Sequence, residues 1–459
     1  MSTVAKKRIF GGNDTVNMTE GNPVKLLIAF SIPMLIGNIF QQLYNLVDSV
    51  VIGRVVGGVA FGAVGETSSL NFLFFAICNG IGSGGGIITA QYFGIGDDAK
   101  VRKCITNTAY LMGIFPLIVG TAAFFLVKPL LIVTQVKEEF MADAVLYAQM
   151  MSIGLILVSL YNFVSSMLRA LGDSKTPLYF LIFASILNTV LDIVFVKYLN
   201  LAVFGAAVAT LISQFVSGVA SLIYAILFNP YFKLKKEDFK PDFKIIGSAV
   251  RIGIPLSLQF SLIAISCMAL QTVVNTFDNW VAVAAFTATS RIEQIVHQPY
   301  QTLSAALSTY SGQNYGAKKN KRLIDGYRKS LLMMLIFTVV MLPVMQFCGK
   351  WIMALFVKEP EVIEMGITAL RITSIFYIFL GVIYVVRGVL NGIGDSVFAL
   401  INGIVEVIGR FTVPLLLVSI PLFGIWGIWW SVGAVWFVSG ATALLRYLAV
   451  RKKQLAFEE

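Results

Sequence analysis

The sequence predicts an all-α polytopic membrane protein, built from twelve transmembrane helices in two six-helix lobes. Of its 459 residues, 57% are hydrophobic and only 13% are charged, whereas soluble globular proteins are about 25% charged. Apolar runs of about 20 residues, the length that crosses a bilayer, recur along the whole chain. Several short motifs of the first half also reappear in the second half at one constant spacing. Composition, run length and repetition together predict this fold class.

The apolar runs follow one another so closely that no separate soluble domain fits between them. Each run is long enough to form one membrane-spanning helix. The predicted helices cover residues 24–52, 57–93, 103–127, 140–168, 176–198, 203–228, 245–277, 280–312, 327–349, 361–390, 396–418 and 423–448.

The distribution of Lys and Arg predicts how these spans are oriented. The net charge of +11 is concentrated in the two tails and in alternate loops, and the intervening loops carry mostly single cations. This positive-inside bias places both termini in the cytoplasm. We expect the protein in the inner (cytoplasmic) membrane. Because the charge encodes topology, we expect no binding of nucleic acid. The basic residues are Lys6, Lys7, Arg8, Lys100, Arg102, Lys103, Lys233, Lys235, Lys236, Lys240, Lys318, Lys319, Lys321, Arg322, Arg451, Lys452 and Lys453.

The two halves of the chain are copies related by an offset of 222 residues. Pro33 in the segment SIPMLIG reappears as Pro255 in GIPLSLQ, and Gly172 of RALGDS reappears as Gly394 of NGIGDS. Because each copy has an even number of spans, both copies enter the membrane from the same side. The repeat is therefore parallel, with a pseudo-twofold axis along the membrane normal and a path between the halves.

The repeat and the spans together predict five regions along the chain. Two lobes are joined by one basic linker and flanked by two cytoplasmic tails. These regions are an N-terminal tail (1–23), an N-lobe with helices 1–6 (24–228), the linker (229–244), a C-lobe with helices 7–12 (245–450) and a C-terminal tail (451–459).

Polar residues that occur in only one copy are candidates for function. Residues that the fold requires should appear in both copies, whereas a single binding site needs only one. A charged side chain at the centre of a membrane costs about 3 kcal/mol, so its presence predicts a functional role. In the first half Asp48, Asn188, Asp192 and Thr210 lie opposite Leu270, Arg410, Pro414 and Val432 of the second half.

These four residues are predicted to form one cation site. At about 1.5 Å per residue, Asp48, Asp192 and Thr210 lie about 8–11 Å below the outer membrane boundary. Asn188 lies one turn deeper on the face of Asp192, because residues four apart stack on a helix. Two carboxylates, an amide oxygen and a hydroxyl suit a hard cation, and neighbouring acids could equally hold a proton. We favour Na⁺ over H⁺ because the amide and the hydroxyl add neutral ligands.

A less specific interpretation of the same residues stays open. Asn188 and Thr210 could satisfy hydrogen bonds between helices, while Asp48 and Asp192 line a wet cleft.

The second half has its own charged residues within predicted spans. Glu293 and Glu406 lie opposite Asn71 and Ala184, so neither acid is duplicated. These charges could line a substrate cleft that attracts cations, form a second coupling site, or form internal ion pairs. The residues are Arg291, Glu293, Arg387, Glu406 and Arg410.

Two further features indicate packing rather than chemistry. The glycine-rich segment NGIGSGGGIITAQ (79–91) lacks the GK[ST] of a phosphate loop, so it predicts close contact between helices. His297 is the single histidine, which excludes a metal site built from several histidines. We therefore expect no cofactor, and no metal apart from a coupling Na⁺.

Several segments closely resemble the multidrug and toxic compound extrusion (MATE) family. The resemblance covers essentially the whole chain, with the motifs in the same order and in both halves. It implies a transporter of twelve helices in two lobes, which exports organic, often cationic and amphipathic compounds in exchange for inward Na⁺ or H⁺. The positions of Asp48, Asn188, Asp192 and Thr210 match the family's cation site in the N-lobe. The segments are MTEGNPVKLLIAFSIPMLIGNIFQQLYNLVDSVVIGRVVG, GGGIITAQYFGIGDDAKV, RALGDSKTP and LSTYSGQNYGAKK.

The expected function is therefore cation-coupled antiport by alternating access, in which cation and substrate favour different states. We expect small organic substrates and membrane lipids as partners, with no obligatory protein partner, because one chain already contains both lobes and a monomer suffices. The main alternative is a flippase for a lipid-linked precursor of the same superfamily, and a passive channel is a further one. An integral-membrane enzyme would need a nucleophile–base pair or metal ligands near a membrane surface, and the sequence has neither.

Overall fold

The computed structural model describes residues 15–134, 136–277 and 279–452, and all regular structure in these ranges is helical. The basic tail residues Lys6, Lys7, Arg8 and Lys453 lie outside these ranges. The α-helices are α1 (Pro23–Val51), α2 (Gly58–Ile95), α3 (Asp98–Val133), α4 (Glu138–Ala170), α5 (Lys175–Asp192), α6 (Ala202–Phe228), α7 (Phe243–Asn275), α8 (Trp280–Gly316), α9 (Asn320–Phe347), α10 (Gly349–Ala354), α11 (Pro360–Ser374), α12 (Tyr377–Ile393), α13 (Ser396–Ser419) and α14 (Gly427–Val450).

Most of these helices are suited to a membrane. Within the described residues, ten helices are long and apolar enough to span it, and the bent pair α11 and α12 makes eleven when it is counted as one span. Helix α8, which covers the predicted span 280–312, is 37 residues long, or about 55 Å at 1.5 Å per residue, but it is not among these apolar helices. The chain is thus a multi-pass membrane protein.

The predicted tenth helix, residues 361–390, is broken rather than continuous. Helices α11 and α12 meet at Ile375–Phe376 with a bend of 52°. The carbonyl oxygen of Arg371 accepts from Ser374 Oγ at 3.1 Å and from Gln346 Nε2 at 2.9 Å. These side chains compete for a carbonyl that would otherwise serve the helical ladder, which explains the break.

Two helices end in a wider winding. Helices α1 and α5 continue as π-helical segments, Ile52–Val56 and Ile193–Tyr198, and the two segments contact each other. Asp192 is the last α-helical residue before the second segment, and Asp48 lies one turn before the first. Short π segments are frequent at functional sites.

Helix α3 begins earlier than the predicted residue 103, because an aspartate caps it. Asp97 accepts a hydrogen bond from the backbone N–H of Lys100 at 3.0 Å, so the helix starts at Asp98. The same backbone N–H stabilises the carboxylate and holds the pKa of Asp97 below its ordinary value.

The described residues divide into two compact units. The first contains residues 15–18 and Ile32–Ile254, and the second contains Thr19–Ser31 and the chain from Pro255 onward. The chain therefore passes between the units three times: between Met18 and Thr19, inside α1 beside Pro33, and inside α7 beside Pro255. The lobe limits 24–228 and 245–450 inferred from the repeat stay a prediction.

Glycines hold α2 close to its neighbours in the first unit. A Cβ atom on Gly84 would lie 2.5 Å from the carbonyl oxygen of Ala249 in α7, and one on Gly85 would lie 2.4 Å from Thr108 in α3. From α7, a Cβ on Gly253 would lie 2.9 Å from the Cα of Ile81. The close helix packing predicted for residues 79–91 is confirmed.

The second unit also contains the first turns of α1. Lys319 Nζ donates to the carbonyl oxygen of Thr19 at 3.0 Å, and Arg322 donates to that of Glu20 at 2.7 Å. Two of the predicted basic residues thus hold the start of α1 by hydrogen bonds. The interior of this unit is rich in fully buried aromatic side chains, which include Tyr300, Tyr377, Trp429 and Trp436.

The 222-residue repeat is visible in the backbone. Gly172 and Gly394 both adopt a left-handed conformation, with φ of 84° and 91°. Glycine adopts this region without the steric cost that a Cβ would add. The next residue, Asp173, accepts from the backbone N–H groups of Lys175 and Thr176, each at 3.0 Å, and so caps α5.

Candidate functional site

The ends of α1 and α5 and the first half of α6 place four polar side chains together in the first unit. Asp48 lies near the end of α1, Asn188 and Asp192 lie one turn apart on α5, and Thr210 lies on α6. Their exposed fractions are 9% for Asp48, 1% for Asn188, 0% for Asp192 and 6% for Thr210. A buried polar cluster of this kind needs mutual contacts or a ligand to satisfy it.

The amide of Asn188 links α5 to α6. When its oxygen and nitrogen are oriented so that both are satisfied, the nitrogen donates to Asp192 Oδ2 at 2.8 Å. The oxygen then accepts from the backbone N–H of Thr210 at 3.3 Å. The orientation follows from the hydrogen-bond network, since the two amide atoms look alike. Asn188 thus positions one of the two acids.

The two acids face each other. The carboxyl groups of Asp48 and Asp192 lie within hydrogen-bonding reach of one another. The Oδ1 atom of each is buried and has no hydrogen-bond partner in the protein. Two adjacent buried carboxylates repel strongly unless a proton or a cation lies between them. The geometry therefore suits one bound positive charge.

Two tyrosines belong to this site that were absent from the sequence prediction. Tyr44 lies one turn before Asp48 and donates its hydroxyl to Thr210 Oγ1 at 3.3 Å. Tyr147 on α4 is buried, and its hydroxyl is close enough to interact electrostatically with both acids. Tyr44 and Tyr147 lie opposite Ser266 and Ala369 in the repeat, so the comparison of the halves could have revealed both.

The donor set can accommodate Na⁺ as well as H⁺. The carboxylates, the Thr210 hydroxyl and the Asn188 amide are hard oxygen donors, which Na⁺ prefers over the nitrogen and sulfur ligands of transition metals. Two of the carboxylate oxygens are already free of protein donors. In the part of the chain that the structure describes, no group of three or more His, Cys, Asp or Glu side chains could hold a metal.

The charges of the second unit form two groups rather than one. In the first group Arg387 donates through Nε to Asn402 Oδ1 at 3.0 Å, and it forms an ion pair with Glu406. Asn402 in turn donates to the carbonyl oxygen of Ser439 at 3.0 Å. The charges of Arg387 and Glu406 therefore compensate each other, and hydrogen bonds connect them to α12, α13 and α14. Asn402, which lies opposite Phe180 in the repeat, was absent from the sequence prediction.

The second group surrounds Glu293 on α8. Arg410 on α13 is close enough to act on this carboxyl group electrostatically. One turn further along α8, the His297 ring packs against Trp436 with ring centroids 5.6 Å apart. Glu293 Oε1 is buried without a hydrogen-bond partner. Arg291 is exposed, so the structure does not bring it into either group.

The comparison with known proteins identifies the family. The family model described as MatE matches the chain twice, over residues 33–194 and 255–418. The chain belongs to the MATE family. The two matches begin at Pro33 and Pro255, which confirms the predicted internal duplication.

Relatives of the MATE chain carry names that refer to drugs. It is 30% identical over 448 residues to "Probable multidrug resistance protein YpnP" of Bacillus subtilis, which covers 96% of this chain and 98% of that protein. It is 23% identical over 412 residues to "Multidrug export protein MepA" of Staphylococcus haemolyticus, which covers 90% of each chain. This MATE chain is therefore similar over nearly its whole length to proteins named for multidrug resistance and multidrug export.

Solved MATE structures share the fold. One, described as the outward-facing conformation of a multidrug resistance MATE family transporter of the MOP superfamily, aligns with a TM-score of 0.87 at 24% identity, covering 97% of this chain and 99% of that one. A second, described as MATE in the straight conformation, aligns with a TM-score of 0.88 at 24% identity and covers 96% and 100%. The predicted all-α fold of twelve membrane helices in two lobes is confirmed.

Proposed function

We propose that this MATE protein is a cation-coupled antiporter that exports organic, cationic or amphipathic compounds across the cytoplasmic membrane. It works as a monomer with both termini in the cytoplasm, and it needs no cofactor or protein partner. One observation carries the proposal: the buried carboxyl groups of Asp48 and Asp192 face each other and leave one oxygen each without a partner. The relatives named for multidrug export and resistance support the substrate class.

Coupling follows from the electrostatics of this pair. With a cation bound between the two carboxylates, their mutual repulsion is relieved and α1 and α5 pack closely. When the cation leaves, the acids repel each other, because a dry interior screens charge weakly. The cation thus binds the two states with different affinity, which is the requirement for driving a conformational change. Substrate binding favours the opposite state, so inward cation flow drives export.

Na⁺ is the favoured coupling ion, because the site offers more than the acids. The Thr210 hydroxyl is a neutral oxygen in the same cluster, and the Asn188 amide holds Asp192 in place by donating to its Oδ2. A proton needs only one carboxylate oxygen, whereas a metal cation needs several oxygen ligands to replace its water.

Dye transport in liposomes tests the proposal. Purified protein is reconstituted with ethidium as the transported probe, and an Na⁺ gradient or a pH gradient is imposed separately. We expect the Na⁺ gradient to drive ethidium movement in the wild type. We expect Asp192→Asn to lower the initial rate by at least about tenfold, because it removes the charge through which the cation acts.

The matched control is Asp98→Asn, the same chemical change at an exposed residue of the first unit, which should transport normally. A pH gradient that drives the dye while the Na⁺ gradient does not would identify H⁺ as the coupling ion. If neither gradient moves ethidium, and a lipid-linked precursor is instead flipped equally by wild type and Asp192→Asn, the protein is a flippase and the antiport proposal is wrong.

A further inference from the structure

The linker between the two halves of the chain has an ordered structure of its own. Residues 229–242 connect α6 to α7, and both helices are apolar enough to span a membrane. The linker must therefore lie where these spans leave the bilayer. It contains two short 3₁₀ turns, Pro230–Phe232 and Lys236–Phe239. Its position at the interface follows from chain connectivity alone.

The linker is docked on the first unit. Phe232 is buried in the hydrophobic core, and Tyr231 packs edge-on against Phe93 with ring centroids 5.4 Å apart. Tyr110 on α3 donates to the carbonyl oxygen of Phe239 at 2.7 Å, and the backbone N–H of Asp242 donates to Asn107 Oδ1 at 2.8 Å. The outer surface of the linker is thus held in a fixed orientation.

Two of the three acidic side chains of the linker are engaged in hydrogen bonds within the fold. Asp238 is buried, and its Oδ2 accepts from Arg102 Nε at 3.1 Å and from the backbone N–H of Lys235 at 2.8 Å. Asp242 Oδ1 accepts from the backbone N–H of Lys244 at 3.0 Å, at the start of α7. Both carboxylates are therefore used within the fold, and Glu237 is left as an exposed acid.

The lysines of the linker, in contrast to these acids, lie on its exposed surface. All five lysines of the segment are exposed, and none of them makes an ion pair among the residues that the structure describes. The basic linker carries five lysines against three acids, and its folded surface is more positive than this count because one acid is buried and another caps α7. The lysines are Lys233, Lys235, Lys236, Lys240 and Lys244.

Two phenyl rings stand among these lysines. Phe239 is 50% exposed and Phe243 is 81% exposed. Phe243 is the first residue of α7, so its ring lies at the level where a spanning helix enters the bilayer. Aromatic rings are favoured at this level, and basic side chains there attract anionic headgroups. A soluble anion would be attracted by the lysines but would gain nothing from the rings.

We propose that this linker surface binds anionic phospholipids, with the lysines on the headgroups and the Phe239 and Phe243 rings in the outer part of the acyl region. The surface anchors the first unit to the membrane leaflet on the linker side. The partner is a lipid of the bilayer, so a free phosphate ester of similar charge should bind far more weakly.

Native mass spectrometry of the full-length protein tests this proposal. The detergent-solubilised protein is titrated with phosphatidylglycerol or phosphatidylcholine, and bound lipids are counted. We expect wild type to bind phosphatidylglycerol in preference to phosphatidylcholine, and raised ammonium acetate to reduce that preference. A linker variant, Lys233→Gln/Lys235→Gln/Lys236→Gln/Lys240→Gln, should bind phosphatidylglycerol about tenfold more weakly.

The matched control removes the same number of exposed lysines elsewhere in the chain and should keep the preference of the wild type. If the linker variant keeps that preference too, or if the control loses as much, the linker is not the lipid site. The control substitutions are Lys128→Gln, Lys137→Gln, Lys350→Gln and Lys358→Gln.

Two further experiments distinguish a lipid-binding surface from a site that binds any small anion. Phe239→Ser/Phe243→Ser should weaken phosphatidylglycerol binding although all five lysines remain. Glycerol phosphate, which carries the charge without acyl chains, should fail to compete at equal concentration. Equal competition by glycerol phosphate, together with an unchanged affinity of the phenylalanine variant, would overturn the assignment to lipid.

Discussion

Single side chains inside the second unit show how a buried charge is kept stable. Arg387 and Glu406 are each only 5% exposed, and they form an ion pair. Asn402 accepts from Arg387 and donates to Ser439, so it ties the pair to the backbone of α14. Removing one partner from a buried pair leaves the other charge uncompensated, which costs more than the pair contributes.

We therefore expect Glu406→Gln to lower the free energy of unfolding by about 3–5 kcal/mol. Replacing both partners, as in Arg387→Met/Glu406→Leu, should recover much of that loss, because no isolated charge remains. Chemical unfolding in detergent micelles, followed by circular dichroism, measures both effects. The exposed Glu364→Gln serves as the control and should unfold like wild type. Equal free energies of unfolding for Glu406→Gln and wild type would show that the ion pair does not contribute to stability.

At this scale the comparison of the two halves was applied to some polar residues of the site and not to others. Asp48 and Asp192 stand out because a carboxylate in an apolar run is costly, and the structure brings them together. Tyr44 was missed, because a tyrosine in a membrane helix is ordinary and its hydroxyl contact with Thr210 appears only in three dimensions. Asn402 was missed for the same reason, since its two partners lie on other helices.

At the scale of helices, apolar run length predicted the order of the long helices along the chain but not the breaks inside them. The bend between α11 and α12 depends on hydrogen bonds from Ser374 and Gln346 to one carbonyl oxygen. The π-helical ends of α1 and α5 likewise leave no trace in hydropathy, because a change of winding keeps the same residues apolar. Helix starts are better specified where a capping residue such as Asp97 is present.

The crossing of α2 with α7 is a prediction that belongs to this scale. A Cβ on Gly84 would lie 2.5 Å from the carbonyl oxygen of Ala249, and backbone atoms cannot yield as a flexible side chain does. We expect Gly84→Ala to cost about 1–3 kcal/mol of unfolding free energy, as overpacking does in other interiors. Thermal unfolding in detergent measures the change.

The matched control is Gly247→Ala on α7, where an added methyl group meets nothing within 4 Å. This variant should be as stable as wild type or slightly more stable, because alanine restricts the unfolded chain. If Gly84→Ala were as stable as Gly247→Ala, the close contact of α2 with α7 would not require a glycine at residue 84.

At the scale of the whole molecule, the scaffold is duplicated but the proposed coupling site is not. The family model matches each half once, and the matches begin 222 residues apart at Pro33 and Pro255. The paired turns at Gly172 and Gly394 carry the same backbone conformation. The facing acids, by contrast, exist in one half only. A common scaffold is thus present twice, whereas the proposed coupling site is present once, as expected for one cation driving one transport cycle.

Simultaneous measurement of both fluxes in one preparation of liposomes tests coupling most directly. An ethidium gradient alone is imposed, and the movement of radiolabelled Na⁺ and of H⁺ in the opposite direction is recorded. Because coupling is reciprocal, we expect wild type and Asp98→Asn to move Na⁺ against the dye in a fixed ratio. Asp48→Asn and Asp192→Asn should abolish the cation flux. Dye movement without any opposing cation flux, or cation flux that persists in both variants, would contradict the assignment of this pair as the coupling site.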